Sequence, residues 1–200
     1  MAEIYITIGR QFGSGGRETG KKVAQALGIP YYDKELLAIA AKESGLSHQF
    51  LQDYDEKPTN SFLYSLVMGQ NALLGGSQSM TVDQMAVKAQ RDAVLSVAEK
   101  GSCVIVGRCA DYILRDKPGL IRVFISADYE NRIQRICHRD GVTEKEAEEN
   151  MRKMDKARAS YYSFHTDRKW NDASNYDLCI NSSRKGIDTA VEQILQFIKA

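Results

Sequence analysis

The sequence lacks several features that mark particular classes of protein. Its 200 residues include only three prolines and carry a formal net charge of +1. A proline-rich linker and a strong basic field for nucleic acid are therefore both missing. No apolar run approaches the length of about 20 residues that spans a bilayer, and the absence of a Gly-x-Ser-x-Gly motif disfavours a serine hydrolase. We predict one globular domain over residues 1–200 that binds neither nucleic acid nor a membrane.

The four cysteines stand alone, and none forms a CxxC pair, which disfavours a zinc site or a disulfide framework. Cys103 and Cys179 lie in short apolar runs, where we expect reduced and buried side chains. The N-terminal residues lack the basic start and long apolar stretch of a signal peptide. From these observations we expect a cytoplasmic protein.

Short apolar runs alternate with helical patterns along most of the chain. Runs typical of buried strands occur at 4–8, 103–106, 122–125 and 178–180, with a further short strand before Asp33. Helical patterns occur at 21–27, 34–42, 129–138, 145–162 and 187–198. This alternation predicts an α/β fold with a parallel sheet covered on both faces. Ligands of such sheets bind beyond the carboxyl ends of the strands.

Residues 44 to about 100 show helical periodicity without a strand pattern. Helices are indicated over 62–67 and 82–98, and the turn Gly75–Gly76–Ser77 separates them. This segment is therefore a helical insertion between the second and third strands.

A glycine-rich segment from Gly9 to Gly20 connects the first predicted strand to the first predicted helix. Glycine permits positive φ angles, which bring backbone N–H groups against an anion. The N-terminus of the helix adds a favourable field for a phosphate. The segment predicts a phosphate-binding loop, whose candidate residues are Gly13, Ser14, Gly15, Gly16, Arg17 and Thr19.

The loop departs from the standard G-x-x-x-x-G-K-[ST] phosphate loop. Aligned without a gap from the downstream helix, Gly16 takes the lysine position. With one residue inserted, Arg17 replaces the lysine and Thr19 supplies the metal-binding hydroxyl; arginine is a bidentate phosphate donor. Both alignments stay open. A dinucleotide-binding loop is a competing interpretation, although the G-x-G-x-x-G pattern from Gly13 lacks its last glycine.

Together with later segments, this loop resembles the cytidylate kinase-like family, a branch of the nucleoside monophosphate kinases. The resemblance is carried by ITIGRQFGSGGRETGKK at 6–22, IPYYDKELL at 29–37, VIVGR at 104–108, ADYIL at 110–114 and YDLCINSS at 176–183. It implies a P-loop kinase fold, a three-layer sandwich with a five-stranded parallel sheet. It also implies a helical acceptor-binding insertion over about 44–100 and a mobile lid over about 139–170. ATP and Mg²⁺ are the implied donor and metal, and CMP or dCMP is the implied acceptor.

The resemblance also assigns acceptor contacts near the end of the third strand. In cytidylate kinases an arginine–aspartate pair follows the glycine of that strand and reads the acceptor. Arg108 matches the arginine, Cys109 stands at the aspartate position, and Asp111 comes two residues later. We predict acceptor contacts for Arg108 and Asp111; a salt bridge between them is the alternative.

Further candidates lie on the two helices around the implied lid. Arg132, Arg135 and Arg139 share one helical face. We predict phosphate or adenine contacts for Arg135 and Arg139, with a solvated face as the alternative. Arg158 is the preferred lid arginine, and Asp155 is either an acceptor-binding group or its partner in an ion pair.

The remaining candidates are oxygen-bearing side chains. Asp33 caps the helix over 34–42, contacts the acceptor or organises the metal, and these roles are compatible. Ser14 and Thr19 are the candidate hydroxyl ligands of Mg²⁺.

These residues predict direct transfer of the ATP γ-phosphoryl group to a nucleoside monophosphate. Phosphoryl transfer depends on positioning and on positive charge around the transition state, which Arg17, Arg108 and Arg158 supply. The missing lysine raises the alternative of a non-catalytic nucleotide sensor, and a kinase for a non-nucleotide metabolite is a third interpretation. The predicted partner is a small-molecule nucleotide, and the oligomeric state stays open.

Overall fold

The structure is a computed structural model that describes residues 3–47, 49, 51 and 82–199. The helix predicted over 62–67 and the turn at 75–77 lie outside the described residues. The strands are β1 Tyr5–Arg10, β2 Tyr31–Tyr32, β3 Cys103–Val106, β4 Leu120–Ser126 and β5 Leu178–Asn181. The helices are α1 Gly16–Leu27, α2 Glu35–Ser44, α3 Val82–Glu99, α4 Ala110–Ile113, α5 Tyr129–Asp140, α6 Glu144–Thr166 and α7 Gly186–Lys199.

The strands form one five-stranded sheet in the order β2-β3-β1-β4-β5, and all neighbouring pairs are parallel. In the central strand β1, Tyr5 pairs with Cys103 on one side and with Leu120 on the other. Because the strands are parallel, their carboxyl ends meet at one edge of the sheet. The predicted α/β fold is confirmed.

The side chains of β1 alternate between two apolar cores, since successive strand residues point to opposite faces. Ile6 and Ile8 belong to the core that includes residues of α1 and α7, whereas Tyr5 belongs to the core that includes residues of α2 and α3. Helices thus cover both faces, which gives the predicted three layers. Within the described ranges 3–47 and 82–199, no helix has the length and apolar character needed to cross a membrane.

The central strand continues beyond its predicted end at Ile8, so Gly9 and Arg10 also belong to the sheet. A Cβ on Gly9 would lie 2.9 Å from Phe124 Cδ2, so the packing of β1 against Phe124 requires glycine there. Arg10 is in register with Ile125 of β4. This extension fixes the backbone of Arg10 at the edge where ligands bind.

The prediction of a buried Cys179 is wrong. Cys103 is only 1% exposed and joins the core beside α3, but Cys179 is exposed. Strand β5 lies at the edge of the sheet. Its residue Ile180 is buried in the core with α1 and α7, so the neighbouring Cys179 points to the other face, which stays open at this edge.

Candidate active site

The segment between β1 and α1 forms a tight loop around two glycines. Gly13 and Gly15 have φ angles of 78° and 80°, a left-handed conformation that residues with a Cβ rarely adopt. Gly15 immediately precedes the first residue of α1, so the N–H groups of the first helical turn have no partner within the helix. An anion bound at this loop meets these donors and the positive end of the helix dipole.

Two arginines of α5 hold the loop through its carbonyl groups. Arg132 Nε donates to Phe12 O at 2.7 Å, and Arg135 Nη1 donates to Gly13 O at 2.6 Å. Phe12 N donates to Asp155 Oδ1 at 2.8 Å, and the Asp155 carboxylate also forms an ion pair with Arg132. Charge-assisted hydrogen bonds of this kind are the strong ones. The loop, α5 and α6 are therefore joined by one network.

Beyond the carboxyl ends of the strands lies a cleft of about 720 Å³, within the range of about 300–1,000 Å³ typical of small-molecule sites. The charged side chains that line it among the described residues are Arg10, Arg17, Glu18, Asp33, Lys34, Arg108, Arg135, Arg139, Asp140 and Arg158. Cations outnumber carboxylates in this set. The cleft therefore favours an anionic ligand.

Arg135 and Arg139, for which the sequence predicts phosphate or adenine contacts, both line the cleft. Burial lowers the pKa of the Arg135 guanidinium. The Arg139 Nε and Nη2 atoms each donate to the Asp140 carboxylate at 2.6 Å, and this pairing raises the pKa of Arg139. The Arg139 guanidinium carbon also lies 4.9 Å from the centre of the Phe12 ring. Arg139 thus presents a planar cation beside an aromatic ring at the cleft wall.

Asp33 connects two of the predicted catalytic arginines. Its Oδ2 lies 2.5 Å from Arg17 Nε, and its Oδ1 lies 3.6 Å from Arg108 Nη1. Asp33 and Arg108 are buried, whereas the Arg17 side chain is 53% exposed. The prediction that Asp33 caps the next helix is wrong, because α2 begins at Glu35 without a side-chain capping bond and the Asp33 carboxylate faces the arginines.

A small chamber of about 20 Å³ adjoins the cleft and shares Arg10, Arg108 and Arg158 with it. Half of its remaining lining residues are aromatic, namely Tyr161, Tyr162, Trp170 and Tyr176. Arg158 is buried, and its Nη1 donates to Arg10 O at 3.3 Å. Its guanidinium carbon lies 5.7 Å from the Phe12 ring centre. Arg158 therefore reaches the loop and the end of β1 together.

Asp111 lies in this chamber. The alternative of a salt bridge between Asp111 and Arg108 is not formed among the described residues, where Arg108 is paired with Asp33. The Asp111 Oδ2 accepts a hydrogen bond from the Tyr162 hydroxyl at 2.6 Å. Burial raises the pKa of Asp111, although the bond from Tyr162 acts in the opposite direction. The turn before it is strained, since Arg108 and Cys109 both have a φ of 53°. Strain of this kind concentrates at functional sites.

Besides Asp111, three predicted ligand residues are absent from the described lining of the cleft. Thr19 is fully buried, and its hydroxyl donates to Gly15 O at 3.1 Å. Both oxygens of Asp155 face the loop and Arg132. These contacts do not favour ligand roles for Thr19 and Asp155, which stay predictions. Ser14 is also fully buried, but its hydroxyl has no hydrogen-bond partner among the described residues.

The family resemblance implies Mg²⁺, and the side chains at the site offer a few oxygen atoms as ligands for it. The described residues contain no cluster of three or more His, Cys, Asp or Glu side chains able to hold a metal. Magnesium in phosphate-transfer sites is usually bound by one or two carboxylates together with phosphate oxygens and waters. Glu18 lines the cleft from the first turn of α1, and the Ser14 hydroxyl is an uncommitted oxygen in the adjoining loop. Such a donor set fits magnesium once phosphates are present.

Sequence reasoning missed several residues of the site, among them Arg10, Phe12 and Glu18, which all line the cleft. A signal for Arg10 was present: in the ungapped alignment it stands where the standard loop has its first glycine. Phe12 carried no signal, because its importance comes from Arg139 and Arg158, which lie near its ring only in the folded chain.

Comparisons with known proteins agree with this architecture. A model of the cytidylate kinase-like family matches residues 5–184. Cytidylate kinase from Pyrococcus horikoshii is 25% identical over 183 residues, which cover 91% of this chain and 81% of that protein. The crystal structure of an uncharacterized protein from Eubacterium ventriosum is 36% identical, with a TM-score of 0.75 over 99% of both chains. Shikimate kinase from Bacteroides thetaiotaomicron shares the fold at 15% identity, with a TM-score of 0.55 over 100% of both chains. The chain therefore belongs to the cytidylate kinase-like family, as its sequence motifs predict.

Proposed function

We propose that this protein transfers the γ-phosphoryl group of ATP to a nucleoside monophosphate, with CMP or dCMP as the preferred acceptor. The observation that carries the proposal is the convergence of the phosphate loop, Arg108 and Arg158 on one cleft. Membership of the cytidylate kinase-like family supports the acceptor class.

In the proposed reaction, an acceptor phosphate oxygen forms a bond to the γ-phosphorus while the bond to the β–γ bridging oxygen breaks and ADP leaves. No general base is required, because the attacking oxygen is already ionised. Backbone N–H groups of the loop bind the donor phosphates. The buried guanidiniums of Arg108 and Arg158 stabilise charge on the transferring group, and burial strengthens this effect by excluding water.

Magnesium, when bound, neutralises charge on the donor phosphate oxygens. Glu18 would hold it, with the Ser14 hydroxyl as a further oxygen donor. On the acceptor side, Arg17 and Arg108 face the monophosphate and Asp33 positions both. Asp111 is the proposed contact to the base, because the Cys109 thiol at the family's aspartate position is only a weak hydrogen-bonding group.

The activity is tested by coupled ADP release from the purified chain with CMP, dCMP, UMP, AMP and GMP as acceptors. We expect acceptor-dependent turnover that is highest with CMP or dCMP. Arg108→Ala should lower turnover by roughly 100-fold or more without changing the circular dichroism spectrum. Arg91→Ala, which alters an exposed arginine of α3, should have no effect. Equal turnover in the Arg108 variant and the wild type would contradict the assignment.

A nucleotide sensor is the second candidate function, and the observation that favours it is glycine at the lysine position of the loop. Measurable ATP binding without turnover on any monophosphate would favour the sensor. Slow ATP hydrolysis with the same negative panel would indicate a non-nucleotide acceptor instead.

A further inference from the structure

Gly16 takes the lysine position of the standard phosphate loop in the ungapped alignment, and its surroundings explain why it carries no side chain. A Cβ on Gly16 would lie 2.5 Å from Arg10 Cβ and 3.2 Å from Arg10 Cγ. Contacts below 3.0 Å are essentially never made by real Cβ atoms. Arg10 belongs to the central strand and is paired with Ile125 of β4, so its Cβ cannot shift freely. The stem of Arg10 therefore fills the space in which a side chain at position 16 would begin.

Arg10 itself stands where the standard loop has its first glycine. It is the last residue of β1, is 6% exposed, and lines both the cleft and the adjoining chamber. Its carbonyl oxygen accepts a hydrogen bond from Arg158 Nη1. The strand and this contact fix the point from which the Arg10 side chain extends. The Arg10 side chain then lines the space that Arg108 and Arg158 also line.

We propose that Arg10 and Gly16 are an exchanged pair, in which Arg10 supplies from the strand the phosphate-binding cation that the standard loop supplies from position 16. The inference rests on the proposed function, because it assumes that the cleft binds a nucleoside triphosphate. The Arg10 guanidinium binds the terminal phosphates of that ligand, for which its fork of donors offers two parallel hydrogen bonds. Gly16 has no side chain because the Arg10 stem takes its place.

Arg17 is the competing candidate, because the alignment with one inserted residue puts it at the lysine position. Its side chain is 53% exposed, whereas Arg10 is 6% exposed as a residue. Arg17 Nε also lies 2.5 Å from the Asp33 carboxylate. A buried charge is screened less by water and salt than an exposed one, and packing holds it in place. These differences assign the donor phosphates to Arg10 and leave Arg17 with Asp33 on the acceptor side.

Calorimetric titration of the full chain with a non-hydrolysable ATP analogue and Mg²⁺, without acceptor, tests this assignment. Arg10→Met keeps a stem against Gly16 and removes the guanidinium, and we expect it to weaken analogue binding by about tenfold or more. Binding of AMP, which has no β- or γ-phosphate, should weaken less. Arg10→Gln is measured alongside, so that a folding defect in one variant still leaves a result.

The exchange is tested by combining substitutions. Gly16→Lys alone should weaken analogue binding and lower the thermal unfolding midpoint, because the Arg10 stem occupies the required space. Arg10→Gly together with Gly16→Lys restores the standard G-x-x-x-x-G-K spacing. We expect this double variant to bind the analogue within about threefold of the wild type, a strongly non-additive result.

Arg91→Met, on the exposed face of α3, controls for the loss of one positive charge and should bind like the wild type. Wild-type affinity in folded Arg10→Met or Arg10→Gln would overturn the proposal. The proposal would also be overturned if the binding loss of the double variant equalled the sum of the losses of Arg10→Gly and Gly16→Lys measured singly. A wild-type chain that binds no analogue would instead overturn the proposed function, so the two failures are distinguishable.

Discussion

The Asp33 carboxylate lies between Arg17 and Arg108, with its Oδ2 2.5 Å from Nε of the first and its Oδ1 3.6 Å from Nη1 of the second. Asp33 follows β2 and Arg108 lies just beyond β3, and the parallel pairing of these strands brings the two side chains together. One carboxylate thus links an arginine at the cleft surface to an arginine buried in the wall. Both guanidiniums are placed before an anion enters the cleft.

Replacing Asp33 by asparagine removes this charge while keeping the size of the side chain. We expect the KM for the monophosphate to rise by about tenfold, because a hydrogen bond to a charged group contributes roughly 1.5–3 kcal/mol. Initial rates at saturating ATP and varied CMP measure the change. Asp116→Asn, at a side chain that is 88% exposed, should leave KM unchanged. An unchanged KM in Asp33→Asn would show that the carboxylate does not position the acceptor arginines.

Arg158 and Arg152 lie on the same helix and form a matched pair of arginines. Arg158 is buried and donates to Arg10 O, whereas the Arg152 side chain is 74% exposed and pairs with Glu148 on its own helix. Lysine cannot reproduce the planar fork of a guanidinium. We expect Arg158→Lys to lower kcat by roughly 10- to 100-fold, as measured by coupled ADP release. Arg152→Lys should leave kcat unchanged, and equal rates in the two variants would exclude a role for Arg158 in the reaction.

The network around the phosphate loop predicts a stability effect at Asp155. Asp155→Asn leaves the buried Arg132 without its carboxylate partner. We expect a loss of about 2 kcal/mol in the free energy of unfolding, since a charged group loses a hydrogen-bonded partner. For a chain of this length that corresponds to a fall of roughly 4–8 °C in Tm. Differential scanning calorimetry measures the shift.

The control for Asp155 is Asp188, whose carboxylate pairs with Lys22 but is 84% exposed. Exposed pairs contribute little to stability, so Asp188→Asn should change Tm by about 1 °C or less. A similar small shift in Asp155→Asn would mean that the loop does not depend on this network.

Much of the fold could be predicted from local sequence, because a buried parallel strand needs only a short apolar run. The run at 103–106 became β3 with the predicted bounds. The loop was equally visible, since positive φ angles at Gly13 and Gly15 require glycine. Local pattern failed at Cys179, because exposure of that residue depends on β5 lying at the edge of the sheet.

The candidate site was predicted less well, because its contacts join residues distant in sequence. Spacing alone suggested Arg158 as the partner of Asp155, but the folded chain brings Arg132 and Phe12 to that carboxylate. Helix propensity suggested a cap for Asp33, but ion pairing with Arg17 took precedence. The ungapped alignment marks Arg10 as unusual, but its role depends on which side chain fills the space at Gly16, and that is visible only in the folded chain.

Asp111 predicts a pH dependence of stability. Burial raises its pKa above the ordinary value of 3.8, and this outweighs the opposing hydrogen bond from Tyr162. Between the pKa of Asp111 in the unfolded chain and its raised pKa in the folded chain, the folded chain retains a proton that the unfolded chain has released. The contribution of Asp111 to stability is therefore greatest below the unfolded pKa and is lost as pH rises through the folded pKa.

Asp111→Asn should remove this loss, because asparagine is neutral at every pH and its carbonyl still accepts the Tyr162 bond. We expect the stability of the variant relative to the wild type to increase from about pH 4 to about pH 7, as measured by urea unfolding. Asp172→Asn is the contrasting control: hydrogen bonds from Ser174 lower the pKa of Asp172, so its charged form stabilises the fold and this contribution is lost only as pH falls below about 4. Its replacement should therefore show no trend from about pH 4 to about pH 7. If the free energies of unfolding of Asp111→Asn and the wild type changed with pH in parallel, the prediction would be contradicted. Folding would then favour neither the charged nor the neutral form of Asp111, and the chamber would be open to water.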